Sequence, residues 1–222
     1  MTNNDTLWNT NLDLELLKLY VGQTYSSIEE VAVAKSDEST YVRDYLDIML
    51  TDNVMDIGQG QGFIASFIAP HCNKLTCVDI SNSFLQQSKK LLNNFDNVEH
   101  ALIKRGDLSA FNNLDKIYAL AVFIHFNIYD IAIYLESIYS ILKPGGKFLF
   151  DFLDADYLEL DDEVFNRHKN RYMLDKNTLE TNINYNSKTA VENICKHLGF
   201  SVTVMRENTK HPLLLLTKDN NE

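Results

Sequence analysis

A short strand followed by three alternating glycines is the most informative segment of the sequence. Residues Val54 to Ile57 have the apolar character of a buried strand, and Gly58, Gly60 and Gly62 follow directly. Glycines at this spacing let the backbone approach a ligand where a Cβ would collide with it. The pattern therefore predicts that a cofactor lies against this loop.

Two further carboxylates stand at the ends of the next two predicted strands. Asp79 ends the second strand and Asp107 ends the third. The carboxylate of Asp79 can accept hydrogen bonds from both hydroxyls of a ribose, and that of Asp107 can accept one from an adenine amino group. Because the carboxyl ends of parallel strands share one edge of a sheet, the sequence predicts a nucleoside site there.

The charge beside the glycines indicates which nucleoside cofactor fits. A dinucleotide fingerprint needs a glycine where Phe63 stands, and it places a pyrophosphate over a helix N-terminus. Asp56, two residues before the first glycine, repels a pyrophosphate and attracts an ammonium or sulfonium. The loop therefore favours a cationic cofactor, and a nicotinamide-dependent oxidoreductase is the alternative.

Strands alternate with helices along most of the chain, which predicts parallel pairing through right-handed crossovers and thus an α/β, doubly wound sheet. A last helix closed by Gly199 precedes two strands that we expect to pair antiparallel. The predicted strands are 54–57, 75–79, 101–104, 117–123, 147–152, 200–205 and 213–217, and the main helices are 63–69, 82–92, 129–142 and 187–198.

Residues 1–50 are predicted to form a helical cap or lid, and residues 51–222 the core. An irregular, charged insertion at about 153–186 interrupts that core. Cap and insertion are the segments expected to line the part of the site that a nucleoside cofactor leaves free, because such elements can fold over the mouth of a crevice.

The composition argues against several classes of function. The chain has 222 residues and a formal net charge of −11, so its summed field repels nucleic-acid phosphates and anionic lipid. Three cysteines without framework spacing and a first basic residue at Lys18 support neither a disulfide scaffold nor a secretory leader. No apolar run is long enough to span a membrane. We expect a cytoplasmic protein without a membrane or nucleic-acid partner.

Together these motifs resemble the class I S-adenosylmethionine (SAM)-dependent methyltransferases that act on small molecules. The resemblance covers about residues 50–152 by motif and continues to the C-terminus by element order. Its four motifs are Asp56 to Gly62, Val78 to Ser81, Gly106 to Leu108, and the turn from Leu142 to Phe148. It implies a Rossmann-like, seven-stranded, mostly parallel sheet, with SAM as cofactor and S-adenosylhomocysteine (SAH) as product.

The resemblance also implies a role for each residue of the cofactor site. Asp56 would face the methionine amino group, the three glycines would pack on methionine and ribose, and Asp79, with Ile80 beside it, would hold the ribose. Gln59 stands where many relatives have a small residue, and it could redirect the loop or bind the methionine carboxylate. The remaining implied contacts are Asp107 and Leu108 to adenine, and Ala121 and Val122 to the methionine portion.

The acceptor side is defined less sharply by the sequence. We expect methyl transfer to oxygen or nitrogen of a small molecule by in-line displacement. His125 is the candidate for proton transfer, with a structural role as the alternative. Tyr25, Tyr157 and Arg167 are the candidate acceptor contacts. His71, Cys72 and Cys77 do not form a metal spacing, so no metal is expected.

Three other functions stay open at this point. One is the oxidoreductase named above, and another is a SAM-binding partner or sensor module without turnover. The third is an enzyme that methylates proteins. Binding of SAM rather than a nicotinamide cofactor separates the first from the rest, and the fate of a labelled methyl group separates the others. The sequence does not fix the oligomeric state.

Overall fold

The computed structural model describes residues 28–158, 163–174 and 183–219. Within this range the chain divides into two compact units, one that ends at Leu102 and one that begins at Ile103. Most of the predicted cap, including Tyr25, lies outside the described residues.

The first unit places three parallel strands beside three helices. Strand β2 pairs with β1 on one side and with β3 on the other. All but the first residue of β1 and of β2 are buried, as expected for near-continuous apolar strands in a parallel sheet. In chain order the elements are α1 (Ile28–Leu46), β1 (Asn53–Ile57), α2 (Phe63–Ile68), β2 (Lys74–Asp79), α3 (Asn82–Leu91) and β3 (Val98–Leu102).

The second unit contains one parallel strand pair and an antiparallel hairpin. Strands β4 and β5 are parallel, whereas β9 is antiparallel to both β5 and β8, which confirms the predicted C-terminal pair. Its elements are β4 (Leu114–Ala119), α4 (Ile128–Ile141), β5 (Leu142–Asp151), β6 (Leu153–Asp154), α5 (Glu163–Leu174), β7 (Tyr185–Asn186), α6 (Lys188–His197), β8 (Phe200–Arg206) and β9 (Leu213–Lys218).

The strand order is β3-β2-β1 in the first unit and β4-β5-β9-β8 in the second, which makes seven strands. The short strands β6 and β7 pair with each other in a separate two-stranded sheet, which the sequence did not predict. The prediction of a doubly wound, seven-stranded, mostly parallel sheet flanked by helices is thus confirmed. The proposed division between cap and core at residue 50 stays a prediction.

The boundaries of three predicted strands were wrong by more than one residue. The third strand ends at Leu102 rather than Lys104, and the fourth ends at Ala119 rather than Phe123. Ala121 has a φ of 56°, which no extended strand tolerates, and the apolar residues after it form a 3₁₀ turn at Phe123–His125. The fifth strand begins at Leu142 rather than Lys147, because Leu142 already pairs with Leu114 before an irregularity in the register.

The core of the second unit is rich in aromatic rings. Phe123 lies 4.8 Å from Phe150 and 5.7 Å from Phe148 between ring centroids, and all three side chains are fully buried. Phe126 stacks on Tyr134 of α4 at 4.6 Å. This packing explains why the apolar run after β4 leaves the sheet, since its rings fill the space beneath α4. None of the described helices combines the length and apolar character needed to cross a bilayer.

Candidate functional site

The glycine loop of the first unit has the backbone geometry that only glycine adopts easily. Gly58, Gly60 and Gly62 have φ values of 69°, 54° and 88°. The amide of Gly58 donates to the carbonyl of Val78 over 2.8 Å, which fastens the start of the loop to β2. The loop therefore follows β1 as a tight, left-handed bend.

The two sides of this bend have different surroundings. A Cβ built on Gly62 would lie 2.6 Å from Oγ of Ser88 and 3.2 Å from Cδ1 of Leu92, so this side is packed. A Cβ built on Gly60 would meet no atom within 4 Å. The loop thus leaves open space beside Gly60, where the sequence predicts a ligand.

Asp79 is joined to the glycine loop by a hydrogen bond. The Gly60 amide donates to Oδ2 of Asp79 over 3.2 Å, and the Ser81 amide donates to Oδ1 over 2.8 Å. Asp79 is only 6% exposed. This burial raises its pKa to about 6, although hydrogen bonds from the amides of Ser81, Gly60 and Ile80 act in the opposite direction. The structure therefore brings together two of the predicted cofactor contacts.

The raised pKa of Asp79 predicts that SAH affinity depends on pH. Above pH about 6 the carboxylate is ionised and offers charged acceptors to ribose hydroxyls; below it the group is protonated and loses that charge. We expect the affinity to fall as pH drops through about 6, by at most tenfold per pH unit. Calorimetric titrations with SAH at pH values above and below about 6 measure this change in affinity. The Asp79→Asn variant is the control, and a wild-type profile as flat as that of the variant would contradict the assignment.

Two more side chains with hydrogen-bond acceptor atoms lie at the start of the loop. Asp56 on β1 is 4% exposed and pairs in register with Cys77 on β2. Burial raises the pKa of the Cys77 thiol, and the charge of Asp56 adds to the effect. Gln59 is 8% exposed; its Nε2 donates to the Gly60 carbonyl over 3.2 Å, and its Oε1 is buried without a hydrogen-bond partner.

Helix α3 supports the loop through side chains that the sequence analysis missed. Nε2 of Gln61 donates to Oε1 of Gln87 over 2.6 Å. The next residue along the helix, Ser88, is fully buried, and its Oγ lies 2.9 Å from Nε2 of His100. Burial, and then the charge of Lys89, lower the pKa of His100, which favours the neutral imidazole beside Ser88. No periodicity in the sequence pointed to these contacts, because they join separate elements.

In the second unit, Asp107 and Leu108 occupy a loop rather than the end of a strand. Asp107 is exposed, and its Oδ1 accepts hydrogen bonds from Oγ and N of Ser109 at 2.6 and 3.2 Å. These two bonds hold its pKa below the ordinary value. Leu108 is fully buried in the described structure, so its side chain packs in the protein interior. The adenine contacts of both residues stay predictions.

Ala121 and Val122 follow β4 in a strained turn. Ala121 is exposed with a φ of 56°, which costs a non-glycine residue about 1–2 kcal/mol. Its amide donates to Oδ1 of Asp151, at the end of β5, over 2.7 Å. This tertiary hydrogen bond holds the turn in place, and the predicted methionine contact of the two residues is untested.

His125 ends the 3₁₀ turn and is partly buried. Nδ2 of Asn184 donates to the His125 carbonyl over 3.0 Å, and the Asn184 amide donates to the Ile124 carbonyl over 2.8 Å. Nδ2 of Asn186 on β7 donates to the Phe126 carbonyl over 2.9 Å. The backbone that carries the imidazole is therefore fixed by the end of the insertion.

Of the three predicted acceptor contacts, Tyr157 alone has its side chain among the described residues. Tyr157 is 37% exposed, and its hydroxyl donates to Oδ1 of Asn208 over 2.6 Å. Arg167 lies within α5, but its side chain, like all of Tyr25, is outside the described residues. Among the described residues no three His, Cys, Asp or Glu side chains are grouped as metal ligands.

The fold is Rossmann-like, and comparison with known families shows what the part of the chain that contains the glycine loop is similar to. The family described as a methyltransferase domain matches residues 55–148, which contain the glycine loop, Asp79 and His125. Residues 55–148 thus match a methyltransferase domain, in agreement with the resemblance of the motifs to class I SAM-dependent methyltransferases.

Curated relatives share this part of the chain. The ubiquinone/menaquinone biosynthesis C-methyltransferase UbiE of Rickettsia bellii is 33% identical over 109 residues, which are 45% of this chain and 44% of that protein. The protein of the same name from Rickettsia prowazekii is 31% identical over the same shares. The match thus spans less than half the length of these relatives.

Solved structures resemble the whole fold. Magnesium protoporphyrin IX methyltransferase from Synechocystis, a structure with bound SAH, has a TM-score of 0.70 at 13% identity and covers 98% of this chain and 99% of its own. Geranyl diphosphate C-methyltransferase from Streptomyces coelicolor has a TM-score of 0.70 at 11% identity and covers 98% of both chains. At these identities the likeness shows the fold alone.

Proposed function

We propose that this protein is a SAM-dependent methyltransferase that acts on a small-molecule acceptor. The observation that carries the proposal is the bend at Gly60, which borders open space and donates to the buried carboxylate of Asp79. The match of residues 55–148 to a methyltransferase domain supports it. The oxidoreductase alternative has no such support.

The residues of the first unit suit this cofactor chemically. Between Asp56 and Gly62 the loop contains an acidic side chain and no basic one. Such a loop suits a ligand with a sulfonium, an ammonium and hydroxyl donors, and it disfavours a pyrophosphate. Asp79 would bind the ribose hydroxyls, and Gly60 would let the ligand lie against the backbone. When bound, SAM supplies an electrophilic methyl group attached to sulfur.

The contribution of the protein to catalysis would be alignment. Holding the acceptor atom about 3 Å from the methyl carbon, in line with the breaking bond, can remove several kcal/mol from the barrier. His125 would accept a proton from the acceptor, and the Asn184 and Asn186 hydrogen bonds would keep its backbone in place. The acceptor contacts of Tyr25, Tyr157 and Arg167 are part of the same proposal.

The element that receives the methyl group, carbon, nitrogen or oxygen, is a separate part of the proposal. The sequence predicted oxygen or nitrogen, whereas the curated relatives are named as C-methyltransferases. We therefore propose carbon as the first acceptor atom to test. The test incubates the protein with a metabolite extract and SAM carrying an isotope-labelled methyl group. The chemical shift of the labelled carbon in the product distinguishes a C-, N- or O-methyl group.

This assay also separates the remaining alternatives. Label in an extractable metabolite supports the proposal, whereas label that precipitates with macromolecules would indicate protein methylation. SAM binding without any transfer would indicate a partner or sensor module. The cytoplasmic location expected from the sequence stays a prediction.

Replacing His125 with alanine tests its role in proton transfer. We expect turnover to fall by about a hundredfold, within the usual range for general bases, while SAH affinity stays within twofold of wild type. The Asn186→Ala variant is the matched comparison, since it removes one hydrogen bond to the same turn and leaves the imidazole in place. Unchanged turnover in the His125 variant would assign that residue a structural role.

A further inference from the structure

Gln59 combines burial with an unsatisfied acceptor atom in the middle of the glycine loop. The residue is 8% exposed, and its Oε1 is one of three buried side-chain atoms in the described structure that have no hydrogen-bond partner. A buried acceptor without a partner is costly, and native proteins keep few of them. Where one persists in a ligand-binding loop, a donor on the ligand is a direct explanation.

The neighbouring groups indicate what kind of donor this is. Nε2 of Gln59 donates to the Gly60 carbonyl, so the side-chain amide is fixed against the residue that borders open space. Asp56, three residues earlier, is a buried carboxylate whose charge acts on Cys77. No basic side chain occurs between Asp56 and Gly62. A positively charged group with several N–H donors complements this set of acceptors.

We propose that Oε1 of Gln59 accepts a hydrogen bond from the α-ammonium group of the cofactor's methionine portion, which makes Gln59 a specificity residue for the amino-acid end of SAM and SAH. This inference rests on the proposed function. It also replaces the expectation that Gln59 binds the methionine carboxylate, because the unsatisfied atom is an acceptor and a carboxylate offers it no donor.

Three ligands that differ only at the amino-acid end test the proposal. SAH has both the ammonium and the carboxylate, decarboxylated SAH keeps the ammonium alone, and 5′-methylthioadenosine has neither. We expect Gln59→Ala to weaken SAH and decarboxylated SAH by about tenfold each, the loss typical of one hydrogen bond to a charged group. Affinity for 5′-methylthioadenosine should stay within twofold. Isothermal titration calorimetry measures all three.

Two variants provide the controls. Gln61→Ala removes the other glutamine of the loop, whose Nε2 bonds Gln87, and it should change the affinities for all three ligands by the same factor. Gln59→Glu keeps an acceptor at the same reach, so it should retain the preference for ligands that have an ammonium. If Gln59→Ala does not fold, as judged by thermal unfolding, the preference retained by Gln59→Glu still decides the matter.

Several results would overturn the inference. Equal weakening of all three ligands by Gln59→Ala would assign Gln59 to loop shape, and weakening of SAH alone would make the carboxylate its partner. A Gln59→Glu variant that lost the preference for ligands with an ammonium would contradict the inference as well. In each case wild-type binding of SAH leaves the proposed function intact, whereas a wild-type protein that binds none of the ligands overturns both.

Discussion

The Asp79→Asn variant should bind SAH about a hundredfold more weakly than wild type and yet unfold at the same temperature or higher at neutral pH. The loss of affinity follows from replacing an ionised acceptor of two ribose hydroxyls by a neutral amide, since charge-assisted hydrogen bonds are about twice as strong as neutral ones. Calorimetry with SAH and a thermal unfolding curve measure the two effects on one preparation.

The stability effect follows from the burial of the charge. The pKa of Asp79 is raised from its ordinary 3.8 to about 6, which corresponds to about 3 kcal/mol. Because the folded state binds the proton more tightly than the unfolded chain, this cost is fully present above pH about 6 and disappears as pH falls toward 3.8. Asparagine avoids the cost but weakens the bonds from Gly60 and Ser81, so the gain is partial.

A surface carboxylate provides the matched control for this experiment. Asp96→Asn removes one negative charge from an exposed position in the same unit and should change neither SAH affinity nor unfolding temperature measurably. An Asp79→Asn protein that binds SAH as tightly as wild type would remove Asp79 from the cofactor site. A protein that fails to fold would show that the carboxylate is needed for structure instead.

Alanine at Gly60 should mainly weaken SAH binding, whereas alanine at Gly62 should mainly lower stability. Gly60→Ala should fold with a penalty of about 1–2 kcal/mol from its φ of 54°, but its methyl group would occupy the open space and weaken SAH by more than tenfold. Gly62→Ala would bring its Cβ to 2.6 Å from Oγ of Ser88, so it should lose about 2–4 kcal/mol of stability. Chemical denaturation and SAH calorimetry on both variants measure the contrast.

A second substitution tests the cause of the Gly62 effect. In Gly62→Ala, replacing Ser88 with alanine removes the hydroxyl at 2.6 Å, so the double variant should recover part of the lost stability. The remaining deficit reflects the φ of 88°, the contact with Cδ1 of Leu92 at 3.2 Å and the loss of the hydrogen bond between Ser88 and His100. If Gly60→Ala bound SAH normally, the open space beside that residue would not be the ligand site.

Local patterns were sufficient to predict most of the fold. The apolar runs of β1 and β2 are buried almost throughout, and Ser81 caps α3 by accepting a hydrogen bond from the Phe84 amide, as expected from its position. Gly199 follows α6 with a φ of 92°, which is the usual helix-ending conformation. These features depend on neighbours in sequence, which explains why they were predictable.

The features that were missed depend on contacts between distant residues. Strand β4 ends early because the Ala121 amide bonds Asp151, 30 residues later in the chain, and nothing in the local pattern marks that turn. The Ser88 and His100 pair and the Asn184 bond to the His125 turn are also tertiary. The unsatisfied oxygen of Gln59 becomes visible only when burial and hydrogen bonds are known.

The central claim is that this protein binds SAM through the glycine loop and the carboxylate of Asp79. Isothermal titration of purified protein with SAH, and in parallel with NAD⁺, tests it most directly. We predict saturable, one-to-one binding of SAH with a dissociation constant in the micromolar range and no heat of binding for NAD⁺. Binding of NAD⁺, or no binding of SAH, would contradict the account.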